Sequence, residues 1–331
     1  MRFILLIIVA AIIGLFVATE VGLRLLFGFG NPLTYISDEK IGYLLTPSQR
    51  TRRFGNRIEI NQYSMRGADI QETPLPSTMR LLLLGDSIAN GGWWTDQDNT
   101  ISNLMMRSLT SQVSHLFDDF TQFEVLNASA NSWGPRNELA YLQRFGSFGS
   151  KAIVLLINTD DLFSTTPTSL QVGRDRNYPE KKPQGALVEI LNRYILKQKP
   201  IPGLKEIQNE SGDRVAINLK AIGKIQQFAG ENNALFLLAM TPLKREIGEP
   251  GPRDYEIKER QRLEEFTQAQ SIIYINFLPI FNSSPEPKTL YHDHIHFNLE
   301  GNKLISQVIE QKLLELLQQD AKTNSKVELA Q

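Results

Sequence analysis

Cysteine is absent from the 331 residues, which removes disulfide scaffolds, thiolate metal sites and cysteine nucleophiles together. Histidine is scarce: His115, His292, His294 and His296 are the only four, and three of them fall within five positions. A surplus of positive charge is also missing. Lys and Arg number 35 against 36 Asp and Glu, a net charge of −1, so no cation excess is available to displace phosphate counterions and no nucleic-acid partner is expected. With 22 Gly and 16 Pro the chain is too poor in both for a fibrous or collagen-like protein. What is present is a hydrophobic share of 41%, enough for one large domain or two small ones with real cores.

Charge is missing altogether from Phe3–Thr19, FILLIIVAAIIGLFVAT. Its 17 residues sit at the short end for a bilayer-crossing helix and just beyond the apolar core of a signal peptide. The run is apolar all round and lacks the polar stripe of a soluble surface helix. No A-x-A cleavage pattern follows, since a cut after Ala18 would put Phe16 at the third position before it. The segment is therefore read as an uncleaved signal anchor. Arg2 stays inside, and the rest of the chain is expected outside the cytoplasm on the periplasmic side, with Arg24 flanking the other end of the run.

Four parts are expected: an anchor with its flank (1–27), a juxtamembrane connector (28–77), a catalytic domain (78–318) and a polar, disordered tail (319–331). The connector is rich in turn formers, with a short strand near Arg57–Asn61. From Arg80 the rhythm becomes regular. Apolar runs at Arg80–Gly85, Phe123–Ala128, Ala152–Asn158, Ala234–Met240 and Ser271–Phe277 read as strands covered on both faces. Helical patterns fall between them, near 99–113, 135–145, 216–230 and 254–268, and a long amphipathic helix begins at Leu299. Such alternation predicts an α/β fold with a parallel, doubly wound sheet. The stretch 163–215 breaks the rhythm with a polar loop and a short helix near 186–196. It reads as an insertion at the carboxyl end of a strand, where such sheets bind ligands.

Two places carry chemistry. Gly85-Asp86-Ser87 follows the first apolar strand, so Ser87 sits on a strand-to-helix turn with its hydroxyl exposed and its N–H near a helix N-terminus. A plain turn with an Asp cap fits the same residues, and the G-x-S-x-G elbow is not met because position 89 is Ala. Some 200 residues later comes Tyr291-His292-Asp293-His294-Ile295-His296-Phe297-Asn298. Asp293 and His296, three apart, supply a general base and the carboxylate that orients it. A metal reading competes, because His292, His294 and His296 alternate as strand ligands do. A fourth ligand would have to be a carboxylate, and neither metal nor cofactor is expected. Trp93, Trp94 and Trp133 follow the candidate turns closely. Two readings fit them equally: core or rim packing of large rings, and a stacking platform for a sugar or acyl chain.

Gly85-Asp86-Ser87 on the first strand and Asp293-x-x-His296 before the last helix resemble the first and last sequence blocks of the SGNH (GDSL) hydrolases. The resemblance spans about residues 78–318, in order and on the right elements. Asn61–Gly67 (NQYSMRG) upstream is similar to a bacterial subgroup that carries an N-terminal membrane helix. It implies a flavodoxin-like, three-layer α/β/α sheet and cleavage or transfer of acyl groups on esters. Ser87 would be the nucleophile, His296 the base and Asp293 its orienting carboxylate. The oxyanion donors implied are the Ser87 N–H, a backbone N–H at Ser132 where the family has Gly, and the Asn of a G-x-N-D block. Here that block reads Asn158-Thr159-Asp160-Asp161, so Asp160 stands in the donor's place and Asn158 is the amide at hand. An ionised carboxylate accepts hydrogen bonds and cannot donate. The expected activity is serine-dependent hydrolysis of an extracytoplasmic ester, with O-acetyl groups of cell-envelope glycans as the favoured substrate. Acyl transfer on the same residues, and a catalytically silent carbohydrate-binding or assembly protein on the same fold, stay open.

Overall fold

The computed structural model describes residues 1–117 and 119–328. Helix α1 (Arg2–Gly22) passes without a break into a π-helical turn, Leu23–Phe27. The two form one 26-residue helix whose apolar stretch packs against nothing and which is long enough to cross a membrane. Two antiparallel hairpins follow: β1 (Tyr35–Asp38) with β2 (Gly42–Leu45), and β3 (Gln49–Arg53) with β4 (Asn56–Ile60). The strand expected near Arg57–Asn61 is β4, and its three companions carry no clear sequence signal. The β3–β4 turn is Phe54-Gly55, both at positive φ (48° and 89°), a conformation usually announced by Asn-Gly.

Next come β5 (Thr78–Gly85), α2 (Ser87–Asn90), α3 (Ile101–Leu116), β6 (Gln122–Ser129), α4 (Pro135–Phe145) and β7 (Ala152–Asn158). The 163–215 stretch contributes α5 (Ala186–Ile190), which runs on as a π turn to Ile195, and α6 (Leu204–Gln208). The chain ends with α7 (Arg214–Glu231), β8 (Leu235–Thr241), α8 (Asp254–Ala269), β9 (Ile273–Asn276), α9 (Phe277–Asn282) and α10 (Leu299–Glu328). Gln319–Glu328, expected as a tail beyond the domain, thus continues the last helix. Residues 319–328 contain no Pro or Gly, so nothing in the chain stops the helix at Gln318. Residues 329–331 lie outside the described residues.

Five strands pair in the order β6-β5-β7-β8-β9, all parallel. This is the flavodoxin-like, doubly wound order, with its direction reversing beside β5. Alternation along each strand sends side chains to two cores. Leu82, Leu84, Ile153 and Leu155 pack with Tyr141 of α4, Ile222 of α7 and Leu263 of α8; Leu81, Leu83, Val154 and Leu156 pack with Met105 of α3 and Ile305 and Ile309 of α10. Tyr43, Leu45, Ile58 and Ile60 of the hairpins join the first core. Each such side chain contributes roughly 1.5–3 kcal/mol by leaving water. The connector is therefore part of the folded body, and it lies over the carboxyl ends of the central strands.

Candidate active site

β5 ends at Gly85, where no side chain fits: a Cβ would lie 2.6 Å from the Leu156 carbonyl oxygen on β7 and 2.9 Å from the Ala89 Cβ. The chain turns there directly into α2. Asp86 caps that helix by accepting the Ile88 N–H at 2.8 Å, and Ser87 is its first residue. Across the switch point, a bridge between Tyr291 and Phe297 closes the loop before α10. Within it, Asp293 Oδ1 accepts the N–H groups of Ile295 (2.9 Å) and His296 (2.8 Å). Asp293 Oδ2 then lies 2.8 Å from His296 Nδ1, and His296 Nε2 lies 2.8 Å from Ser87 Oγ. Residues 209 positions apart are thus joined in one hydrogen-bonded chain.

The protonation states follow from the surroundings. Partial burial pushes the Asp293 carboxyl up, but the His296 ring and the two N–H groups outweigh this and hold it at about 2. An ionised Asp293 only accepts, so the ring proton sits on Nδ1 and leaves Nε2 to accept the serine hydroxyl. Burial lowers His296 below the ordinary imidazole value against the pull of Asp293, so the ring is unprotonated at neutral pH. The arrangement can take a proton from Ser87 and return it to a leaving group. His292 and His294 are exposed, and among the described residues no three His, Asp or Glu side chains gather as a metal would need.

The remaining sequence candidates divide. Ser132 lines the cavity in front of Ser87, with its hydroxyl accepting from Tyr178 Oη at 3.0 Å. Its φ is +59°, so this position does demand the left-handed backbone that a glycine adopts freely, and the serine bears the strain. Asn158 needs correction. Its Nδ2 donates to Asp86 Oδ2 (3.0 Å) and Asp161 Oδ2 (2.9 Å), so both amide hydrogens are committed beneath the nucleophile turn. Asp160 is exposed and outside the cavity lining, its N–H bonded to Asn158 Oδ1 at 2.7 Å. Loss of solvent raises its carboxyl, with Arg245 opposing. Trp133 is buried, its indole N–H donating to the Tyr43 carbonyl at 3.1 Å, and it belongs to the core.

Several contributors carried little or no sequence signal. Arg66, from the NQYSMRG segment, is buried and donates to the carbonyls of Asn90 (3.2 Å), Gly92 (2.8 Å) and Thr95 (2.9 Å), tying down the turn after Ser87. That turn presses Trp94 onto His296, ring centroids 4.0 Å apart. Gly92 lets the ring lie there: its φ is +46°, and a Cβ would meet the indole at 2.3 Å. Behind Ser87, burial raises Asp86 to about 6 and pushes Asp161 well up; Asp86 and Glu138 add repulsion at Asp161. The cavity over Ser87 and His296 measures about 440 Å³. Its outer wall comes from the connector (Asn31, Leu33, Phe54) and from the insertion (Arg176, Tyr178, Tyr194). A buried ion pair clamps the two: Arg53 binds Glu189, which also accepts from the Gly30 N–H (2.7 Å) and Arg193 (2.8 Å).

Residues 83–304 match the model of the GDSL-like lipase/acylhydrolase family. Among solved structures the chain is similar to the lipase/acylhydrolase from Enterococcus faecalis, at 16% identity and a TM-score of 0.45, over 72% of this chain and 96% of that one. It is also similar to Axe2, an acetylxylan esterase from Geobacillus stearothermophilus, at 14% identity and a TM-score of 0.46, over 72% and 95%. No curated protein matches.

Proposed function

The chain belongs to the GDSL-like lipase/acylhydrolase family and is an ester-bond hydrolase, and we propose that Ser87, His296 and Asp293 are its catalytic residues. The observation that carries this reading is the unbroken pair of 2.8 Å contacts from Ser87 Oγ through the imidazole to Asp293. Ser87 Oγ attacks the ester carbonyl carbon while His296 Nε2 takes its proton. The oxyanion is met by the backbone N–H groups of Ser87 and Ser132, since the Asn158 amide is committed elsewhere. Collapse expels the alcohol, which leaves with the proton from His296. Water, deprotonated by the same nitrogen, then attacks the acyl-serine and releases the acid.

The location and substrate belong to the same proposal. The unburied apolar helix supports an anchor, with the catalytic domain outside the cytoplasm. Trp94, Tyr178 and Asn31 around the serine mix aromatic faces with polar groups, which suits an O-acetylated envelope glycan. Labelling with a serine-directed organophosphonate tests the assignment. The full chain should be labelled and Ser87→Ala should not; an inert wild-type chain would leave only the silent binding protein.

A further inference from the structure

Helix 186–195 is turned inside out. Glu189 and Arg193, one turn apart, face inward to the Arg53 clamp, whereas Val188, Leu191 and Ile195 face outward and Tyr194 stands at the cavity mouth against Phe29. Tyr194 and Ile195 are 67% and 69% exposed. A helix beside water does the opposite, placing charge outside and apolar side chains on the core. Isolated exposed apolar residues need no explanation, but a contiguous face of them marks a contact surface.

The face has a fixed neighbour. Glu20, near the end of α1, accepts the Ala186 and Leu187 N–H groups at 2.7 and 2.9 Å, and Arg24 bonds to Glu20 at 2.6 Å. The start of the inverted helix is thereby pinned to the end of the anchor, where Leu25 and Leu26 are also exposed. From that junction a line of aromatic rings leads inward to the site. Phe27 meets Phe54 (6.0 Å between centroids), Phe54 meets Trp93 (5.2 Å), Trp93 meets Trp94 (5.7 Å), and Trp94 rests on His296. Aromatic rings with one apolar side and one wet side favour the boundary of a bilayer. Lys197 and Lys199 follow the helix and place positive charge beside it, as suits anionic headgroups.

We propose that this face is seated in the lipid surface, so that the catalytic cavity opens at the bilayer boundary and takes an ester carried by a membrane-borne molecule. The occupant of the face is the bilayer itself. The inference rests on the anchor reading above, and it narrows the substrate to an ester presented in the plane of the membrane, such as an acylated glycan held on a lipid.

The chain has no cysteine, so single-cysteine labelling is clean. Full-length Ile195→Cys and, as a control on α8, Gln261→Cys are labelled with bimane and reconstituted in phosphatidylcholine–phosphatidylglycerol vesicles. Flotation is scored first. The label at 195 should be quenched by doxyl lipid and shielded from aqueous iodide, and the label at 261 should behave in reverse. Equal iodide access at both sites in a chain that floats overturns the seat and leaves the anchor standing; a chain that does not float overturns both. Leu191→Glu with Ile195→Glu, neither of which lines the cavity, should slow hydrolysis of a vesicle-borne ester about tenfold or more. The same variant should leave a water-soluble aryl acetate unaffected. An equal loss on both substrates counts against the proposal.

Discussion

The site has two sides built on different principles. The inner side, Ser87, Asp293 and His296, hangs from strand and helix ends of a parallel sheet, and each group is fixed by backbone hydrogen bonds within a few residues of itself. The outer side is assembled from the connector and the insertion, joined by side chains far apart in sequence, with Arg53 and Glu189 separated by 136 positions. On the proposed assignment, chemistry sits on the rigid frame, and the shape of the substrate's berth is set by segments added to it. Damage to the inner side should therefore abolish turnover, and damage to the outer side should change which ester binds and how well.

The largest effect should come from Ser87→Ala or His296→Ala, each lowering kcat on an activated ester by about 10⁴–10⁶. The double variant should be hardly worse than either single one, because the two act as a unit. Independent, additive losses would show that the inner side is not one machine. On the outer side, Arg53→Met removes one of the two cations on the buried Glu189 and leaves Arg193 and the Gly30 N–H in place, at a cost of about 1–3 kcal/mol. Thermal denaturation should register the loss, and KM should rise with kcat largely kept. A collapse of kcat with KM unchanged would erase the distinction between the two sides.

That distinction also separates what the sequence makes legible from what it hides. The central strands β5, β7 and β8 are continuous apolar runs, and their positions read directly because both faces are covered; the edge strands β6 and β9 carry the same signal in a weaker form. Ser87, Asp293 and His296 are legible because each lies in a short local motif. The outer wall is not. Its hairpin turns at Phe54-Gly55, the clamp joins residues in different segments, and Glu189 and Arg193 look like the polar face of an ordinary helix. Ser132 hides its left-handed backbone behind a residue type that seldom adopts one.

Acidity gives a milder lever on the inner side. As pH falls through the lowered His296 value, Nε2 takes a proton and can no longer accept one from Ser87, so the rate on a small ester should fall about tenfold per pH unit. Asp293, at about 2, stays ionised throughout and adds no second limb. A rate that rises on acidification would sink the assignment of His296 as base. Beneath the turn, Asn158→Ala leaves Asp86 and Asp161 without their shared donor, at a cost of about 1–3 kcal/mol, readable by denaturation.

The smallest effect is expected at Asp160, although it occupies the position where the family carries a donor. Its side chain lies outside the cavity lining, and its fixed contact is the backbone N–H to Asn158 Oδ1, which any residue at 160 retains. Partial loss of solvent raises its carboxyl, Arg245 opposes the rise, and Glu256 and Glu246 add to it. Losing a true oxyanion donor costs about 10²–10³ in turnover. Asp160→Asn should instead change kcat less than about threefold, well under that range, and upward if the added amide reaches the oxyanion. Parallel assays of Asp160→Asn and Asn158→Ala on one activated ester decide the point. A hundredfold loss in the first would place a protonated, donating Asp160 in the site and move the oxyanion pocket from the backbone N–H groups to that side chain.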